Sequence, residues 1–238
     1  MKKFLIPCFI LFSSLVFAQT DYFPNLKKIL VDKDMNVFVK YDPSYTTLIN
    51  KKLSALAKTD PLYSDDEMMG EDIKLLETCL TPNCNERYTV VFSYGPSTDP
   101  SFLFYKTSNP DEAVFVSWGM QLYLTANGFF YISGHTNNTY DARRKFKISS
   151  DTINEVAQPY HYVGLKTRTK QAITLYSDDN MKNVVAQLPP KYPIEVLLAD
   201  QSEEFKYLVK TDFGLVGWVK FDMIYMDNQI EGLYFSGD

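Results

Sequence analysis

The sequence predicts an α+β domain followed by an all-β C-terminal module, in a chain that begins with a removable signal peptide. Three observations lead to this prediction. Apolar residues recur at a spacing of three to four between residues 45 and 57, and the pattern changes to a period of two from residue 87. Short β-rich segments separated by turn residues fill residues 171–226. Residues 1–18 have the basic start and apolar stretch of an export signal.

The signal peptide predicts an exported protein, either periplasmic or secreted. Two lysines precede the apolar residues 4–17, and small residues stand at −3 and −1 of a cleavage site before Gln19. The apolar stretch is shorter than the roughly 20 residues that a membrane anchor needs. If Cys8 were a lipidated cysteine, too few apolar residues would precede it. We therefore expect cleavage after residue 18 and no transmembrane segment.

The composition favours a folded protein and disfavours nucleic acid and anionic lipid as ligands. Aromatic residues make up 15% of the chain and charged residues 22%, a balance that supports a hydrophobic core. The signal peptide carries two of the 24 basic residues and no acid, so the mature chain has 22 basic and 29 acidic residues and a formal charge of −7. Phosphate backbones and anionic lipid surfaces attract basic proteins, so we expect no nucleic-acid partner.

Two cysteines remain after the signal peptide, Cys79 and Cys84, and a Pro-Asn turn lies between them. In an oxidising compartment such a pair predicts a disulfide. A metal site would need further Cys or His ligands nearby in the sequence, and the neighbouring residues supply none. Residues 65–72 form an acidic loop, and runs of this kind are usually solvated. We expect neither a metal nor another cofactor.

The first domain, residues 21–150, is predicted to start with helices. Asp42 caps the first helix, Pro43 takes its first helical position, and apolar residues then follow at helical spacing. Asp60-Pro61 ends this helix. A second, shorter helix is predicted over residues 73–80.

The rest of the first domain is predicted to be an antiparallel meander. Residues 88–94 place Tyr, Val and Phe on one face of a strand. Further strands are predicted at residues 102–106, 113–118, 121–125, 129–133 and 145–148. Asn127-Gly128 predicts a type I′ hairpin turn, because both central residues of that turn need positive φ.

Residues 151–170 are predicted to be an extended connection, and residues 227–238 a C-terminal tail. Residues 171–226 contain five predicted strands, at residues 173–176, 184–188, 194–198, 205–211 and 216–220. Gly214 supplies positive φ in the turn before the last strand. Gly217 lacks a side chain where the backbone of a curved sheet approaches closely.

Four segments of this module carry a known pattern: residues 183–188, 194–197, 207–211 and the Gly-Leu-Val-Gly-Trp-Val-Lys run of residues 214–220. In these residues, about a quarter of the mature chain, the module resembles the bacterial SH3-like (SH3b) domain family. Two family features differ: Tyr176-Ser177-Asp178 replaces an Arg-Ser-Gly-like opening, and Pro189-Pro190-Lys191-Tyr192 replaces a glycine turn. The resemblance implies an SH3-like barrel and a groove that contacts peptidoglycan or peptides.

Aromatic residues are the candidate ligand contacts. They are Tyr176, Tyr207 and Trp218 in the module, and Tyr160, His161 and Tyr162 in the connection. A barrel this small uses most large side chains for its own interior, so we expect Phe205 and Trp218 in the core. Tyr176 and Tyr207 suit either place. We expect His161 on the exposed face of a strand, with a role in a recognition strip as the alternative.

The sequence contains no recognisable catalytic set. A cysteine peptidase needs a free thiol, whereas the two cysteines of the mature chain are assigned to a disulfide. A serine hydrolase needs a strained elbow such as Gly-x-Ser-x-Gly, and the sequence has no such motif. The two histidines, His135 and His161, lie outside any zinc-ligand spacing. A glycosidase needs only two carboxylates, for which Glu112, Asp141 and Glu155 are the candidates.

We therefore expect an exported, non-enzymatic binding protein of the bacterial cell envelope whose partner is peptidoglycan or an envelope protein. The alternative is an envelope hydrolase with catalytic carboxylates in the first domain. An inhibitor or immunity-type partner of another protein ranks third.

Overall fold

A computed structural model describes residues 21–95, 99–149, 152–200, 205–221 and 229–237. Within these ranges the protein is nearly all β, with seventeen strands and two short 3-10 helices, Leu53–Ala55 and Met69–Glu71. The predicted α+β class of the first domain is therefore wrong. The predicted signal peptide lies outside the described residues.

The strands are, in chain order, β1 (Lys27–Asp32), β2 (Val37–Tyr41), β3 (Thr46–Lys52), β4 (Ile73–Cys79), β5 (Arg87–Ser93), β6 (Ser101–Lys106), β7 (Asn109–Trp118), β8 (Gln121–Leu124), β9 (Phe129–Gly134), β10 (Ala142–Ser149), β11 (Thr152–Glu155), β12 (Tyr160–Arg168), β13 (Ile173–Tyr176), β14 (Val184–Leu188), β15 (Pro193–Asp200), β16 (Lys206–Thr211) and β17 (Val216–Lys220).

These strands form three sheets. The first has the order β1-β2-β8-β9-β10-β11, the second β3-β4-β5-β6-β7, and the third β12-β15-β16-β17-β13-β14. Strands β2 and β8 are parallel, while the other pairs described are antiparallel. Since antiparallel neighbours need only short connections, most of the fold is built from sequential hairpins.

The first two sheets enclose one hydrophobic core. Val39 and Leu122 contribute to it from the first sheet, and Val90 and Phe102 from the second. The ring of Phe130 stacks on those of Phe104 and Phe146, with centroid distances of 5.0 Å and 5.1 Å. Aromatic packing therefore joins the two sheets at the centre of the domain.

The segments of the two predicted helices in the first domain form strands, apart from the short 3-10 helix Leu53–Ala55. The residues after Pro43 form a turn followed by β3, and residues 73–79 form β4. Thr46 and Thr47 are β-branched and lose side-chain freedom in a helix, which favours the extended backbone. A register shift between Leu48 and Lys51 interrupts the alternation of β3, so its apolar residues imitate helical spacing.

The hairpin between β8 and β9 is confirmed, but its turn is not the predicted type I′. Positive φ occurs at Ala126 (52°) and Gly128 (90°), whereas Asn127 has none. The Asn127 side chain instead accepts hydrogen bonds from Thr125 Oγ1 and Phe129 N. This asparagine therefore stabilises the turn through its side chain.

The five strands predicted between residues 173 and 220 are confirmed, and three of them have the predicted bounds. The barrel is wrong, because β12 and β14 lie at opposite edges of an open six-stranded sheet. Part of the predicted connection, residues 160–168, forms β12 and extends this sheet beyond β15. A Cβ on Gly217 would lie 2.8 Å from Leu175 Cβ, which confirms the close approach predicted there. The SH3b resemblance itself stays a prediction.

A second hydrophobic core lies against the third sheet and draws on distant parts of the chain. Tyr140 enters it from the segment before β10, Ala142 from the first position of β10, and Ile230 and Leu233 from residues 229–237. Ser236 also forms an isolated β-bridge with Asn138. The second core is thus completed by residues from outside the five strands of the predicted module.

Cys79 and Cys84 lie at disulfide-bonding distance, with their Cα atoms 5.0 Å apart. Cys79 ends β4 and is buried in the structure. A closed loop of this length accounts for about 2 kcal/mol of stability in the chain-entropy model. The pair holds the connection between β4 and β5.

Candidate functional site

A continuous row of apolar and aromatic side chains crosses the outer face of the third sheet. The strand register aligns one residue from each of the six strands. In spatial order the members are Tyr162, Leu198, Leu208, Trp218, Tyr176 and Val184. Adjacent strands lie about 4.8 Å apart, so this aromatic row is about 24 Å long.

The alternation of side chains places the row on the face opposite the second core. Ala199, Tyr207 and Val219 each follow or precede a member of the row, and all three are buried. Successive side chains of a strand point to opposite faces of the sheet. The members of the row therefore point away from the core.

The aromatic side chains of this face remain accessible. Tyr162 is 56% exposed at one end of the row, and Val184 is 57% exposed at the other. Tyr160, two residues before Tyr162, is 45% exposed, and its ring centroid lies 5.7 Å from that of Trp218. Two strands separate β12 from β17, so the two rings lean toward each other across the sheet. Arg143 lies 5.7 Å from the Tyr162 ring, within cation–π range.

Charged and polar side chains border the aromatic row. On one side of the row, Glu195 lies opposite Lys166 of β12 and Lys210 of β16 in the strand register. Lys210 Nζ is 3.4 Å from Glu195 Oε2, which makes an ion pair. On the other side Lys206 pairs with Lys220. An apolar centre with a polar border is the arrangement found in protein binding surfaces.

The structure brings four of the six predicted binding residues to this face and separates two from it. Tyr160, Tyr162, Tyr176 and Trp218 belong to the outer face, where Trp218 is partly exposed. The expectation that Trp218 lies in the core is therefore wrong. Phe205 is partly buried against the second core. Tyr207 and His161 point to the inner side and are described next.

Tyr207 is a core residue with 1% of its surface exposed. Its hydroxyl is hydrogen-bonded to that of Thr139, and its ring makes edge contacts with Tyr140 and Phe221. Burial raises the pKa of Tyr207 to about 12, the hydrogen bond with Thr139 opposes this shift, and Tyr140 adds to it. Tyr207 therefore joins the third sheet to the segment that precedes β10.

His161 is buried, with 4% of its surface exposed, so the expectation of an exposed position is wrong. Its ring meets that of Tyr140 edge-on at 6.3 Å. Within the described part of the chain its Nδ1 atom has no hydrogen-bond partner. Desolvation lowers the pKa of His161, and the positive charge of Arg144 lowers it further. The neutral imidazole is therefore the form that this site favours.

Acidification is expected to destabilise the protein through His161. In the unfolded chain the imidazole binds a proton below about pH 6.5, whereas the folded state resists protonation. The free energy of unfolding should therefore fall as the pH drops through 6.5 toward the lower, folded pKa. Urea unfolding at pH 8.0, 6.5 and 5.0 measures this slope, and His161→Phe should make it shallower.

His135→Asn is the matched control, because it removes the other histidine of the chain. It should keep more of the wild-type slope than His161→Phe. An unchanged slope in His161→Phe would contradict the role given to His161.

Two of the three candidate catalytic carboxylates, Asp141 and Glu155, lie too far apart along β10 and β11 to act as a glycosidase pair. Glu155 lies opposite Phe146 in the register of β10 and β11. Phe146 is five residues after Asp141, so the backbone positions of Asp141 and Glu155 are about 16 Å apart along the strands. Glycosidase carboxylates are about 5–9.5 Å apart. Glu112 belongs to β7 in another sheet. Desolvation raises the pKa of Asp141 and of Glu155, and a nearby arginine opposes the shift in each case.

Within the described ranges, no three His, Cys, Asp or Glu side chains come together as a potential metal site. No helix there is both long and apolar enough to cross a membrane.

Comparisons with known proteins leave the aromatic row as the main functional clue. No protein-family model matches the chain, and no curated protein or solved structure is significantly similar to it. Sequence reasoning missed the apolar members Leu198, Leu208 and Val184, because their alignment depends on the order of the strands. The available signal was an apolar residue next in sequence to a core-facing residue, because adjacent residues of a strand face opposite sides of the sheet.

Proposed function

We propose that this protein is an exported, non-enzymatic binding protein of the bacterial cell envelope and that its ligand is peptidoglycan. The aromatic row carries this proposal, because its Tyr162 and its partly exposed Trp218 share one face of the sheet with the exposed Tyr160. The predicted signal peptide and the Cys79–Cys84 pair support an oxidising compartment outside the cytoplasm.

The chemistry of the aromatic row suits a glycan that carries peptides. Tyrosine and tryptophan rings are flat and largely apolar, and they stack on the C–H faces of sugar rings while their polar edges reach water. The length of about 24 Å accommodates several sugars or an extended peptide of about seven residues.

An envelope protein is the second candidate ligand, and a specific observation favours it. Two adjacent leucines of the row, Leu198 and Leu208, lie between Tyr162 and Trp218. Protein interfaces combine an apolar centre with a polar border in this way. The spacing of Asp141 and Glu155 does not support a hydrolase that uses these two carboxylates.

Sedimentation with purified peptidoglycan sacculi tests the proposal. The mature protein should sediment with the sacculi in a saturable manner, and no soluble sugar or peptide fragments should be released. Release of fragments that rises with time would contradict the non-enzymatic function. Absence of sedimentation, together with stoichiometric capture of one envelope protein, would replace peptidoglycan by the protein ligand.

A further inference from the structure

The turn between β16 and β17 exposes an unusual amount of apolar surface. Phe213 is 85% exposed, and Leu215 and Val216 beside it are 40% and 43% exposed. These residues lie at the end of the third sheet, outside the aromatic row. Isolated exposed apolar residues are common, whereas a contiguous group at a turn indicates a contact surface.

Hydrogen bonds fix the backbone of the turn that carries Phe213. Gly214 N donates to Thr211 O at 2.9 Å, Leu215 N donates to Thr211 Oγ1 at 2.9 Å, and Thr211 N donates to Leu215 O at 2.8 Å. Thr211 is itself 2% exposed, so the base of the turn belongs to the packed sheet. A backbone that is already ordered loses little entropy on binding, which suits the turn as the support of an anchor residue.

A shallow cleft lies directly beside this turn. It has a volume of about 470 Å³, and its apolar lining comes from Pro193 and the buried Ile194. Four charged residues line it as well, two lysines and two carboxylates: Lys166, Lys210, Glu195 and Asp212. The surface thus contains a projecting apolar side chain, a recess and balanced charges within one patch.

We infer that this patch binds a second copy of the chain, with Phe213 of each copy seated in the cleft of the other. A two-fold contact requires one surface that carries both complementary halves, and the turn and the cleft are adjacent. Because the cleft carries charges of both signs, Asp212 of each copy can face Lys166 of the other, which gives two equivalent ion pairs. A neutral cleft gives no attraction to an anionic lipid surface, and its charges of both signs fit a second copy.

Analytical ultracentrifugation of the mature protein from about 1 to about 200 µM tests this contact, since a small interface dissociates in this range. Wild-type protein should show a reversible monomer–dimer equilibrium. Phe213→Ser should raise the dissociation constant about tenfold or more, as expected for an anchor residue. Tyr22→Ser is the matched control, because Tyr22 is 82% exposed elsewhere, and it should leave the equilibrium unchanged. Monomeric wild-type protein over the whole range would overturn the inference.

Charge reversal identifies the second copy as the occupant. Asp212→Lys alone and Lys166→Glu alone should each weaken the dimer, because like charges then face each other twice. An equimolar mixture of the two variants should form heterodimers at least as readily as wild-type protein forms dimers. Failure of the mixture to associate, with both variants folded, would overturn the proposed pairing.

Discussion

Replacing Tyr162 and Trp218 together by alanine is expected to weaken binding to peptidoglycan sacculi by about thirtyfold or more. Large aromatic residues that become buried on binding contribute more binding free energy than most other contacts, and one such residue is often worth about 2 kcal/mol. Both residues belong to the aromatic row, on the face opposite the second core. Sedimentation over a range of sacculus concentrations measures the change in affinity.

The matched control replaces an exposed tyrosine and an exposed tryptophan outside the aromatic row. Tyr22 and Trp118 are 82% and 50% exposed, and the double alanine variant at these positions should bind as wild-type protein does. Circular dichroism and thermal unfolding must show that both double variants are folded. Equal affinity of the two variants would contradict binding through the aromatic row.

Replacing Tyr207 by alanine is expected to lower the free energy of unfolding by about 3–5 kcal/mol, the cost of deleting a large aromatic side chain from a core. The ring packs against Tyr140 and Phe221, which come from different parts of the chain. Tyr207→Phe keeps the ring and leaves the Thr139 hydroxyl without this partner. The phenylalanine variant should therefore lose only about 1–3 kcal/mol. Urea unfolding at neutral pH measures both changes.

The alkaline limb of the stability curve provides an independent control for Tyr207. Its pKa is raised from about 10 in the unfolded chain to about 12 in the folded protein. The folded state holds this proton more tightly, so the corresponding stability is present below pH 10 and is lost as the pH rises toward 12. Two pKa units correspond to about 3 kcal/mol, and Tyr207→Phe should remove this part of the decline. An equally steep decline in the phenylalanine variant would contradict the buried hydroxyl.

Strands were predictable from the sequence where alternation and turn chemistry agreed. The strand from Val216 to Lys220 follows a glycine turn, and the strand from Ile173 to Tyr176 alternates apolar and other residues, so both were assigned with the observed bounds. The helix predicted after Asp42 failed because an irregular register in β3 imitated a period of 3.6. The pairing of β3 with β4 determines the extended conformation of β3, and the local sequence does not reveal this pairing.

The sequence predicted the exposed aromatic residues of the candidate site, but neither its apolar members nor its arrangement. Tyr160 and Tyr162 were selected as aromatic residues of a connection, yet their position beside Trp218 depends on β12 joining the third sheet. Tyr207 and His161 were misplaced for a related reason. Tyr140, far from both in sequence, completes the core that buries them. Contacts between distant segments therefore determine which aromatic residues remain exposed.

The most direct test of binding through the aromatic row is the fluorescence of Trp218. The chain has two tryptophans, so Trp118→Phe leaves Trp218 as the single reporter. Titration of this variant with soluble peptidoglycan fragments should shift the emission of Trp218 to shorter wavelength, because bound sugar removes water from its ring. The shift should saturate with the affinity found by sedimentation. Saturable binding without any change in Trp218 emission would contradict the proposal that the aromatic row is the site.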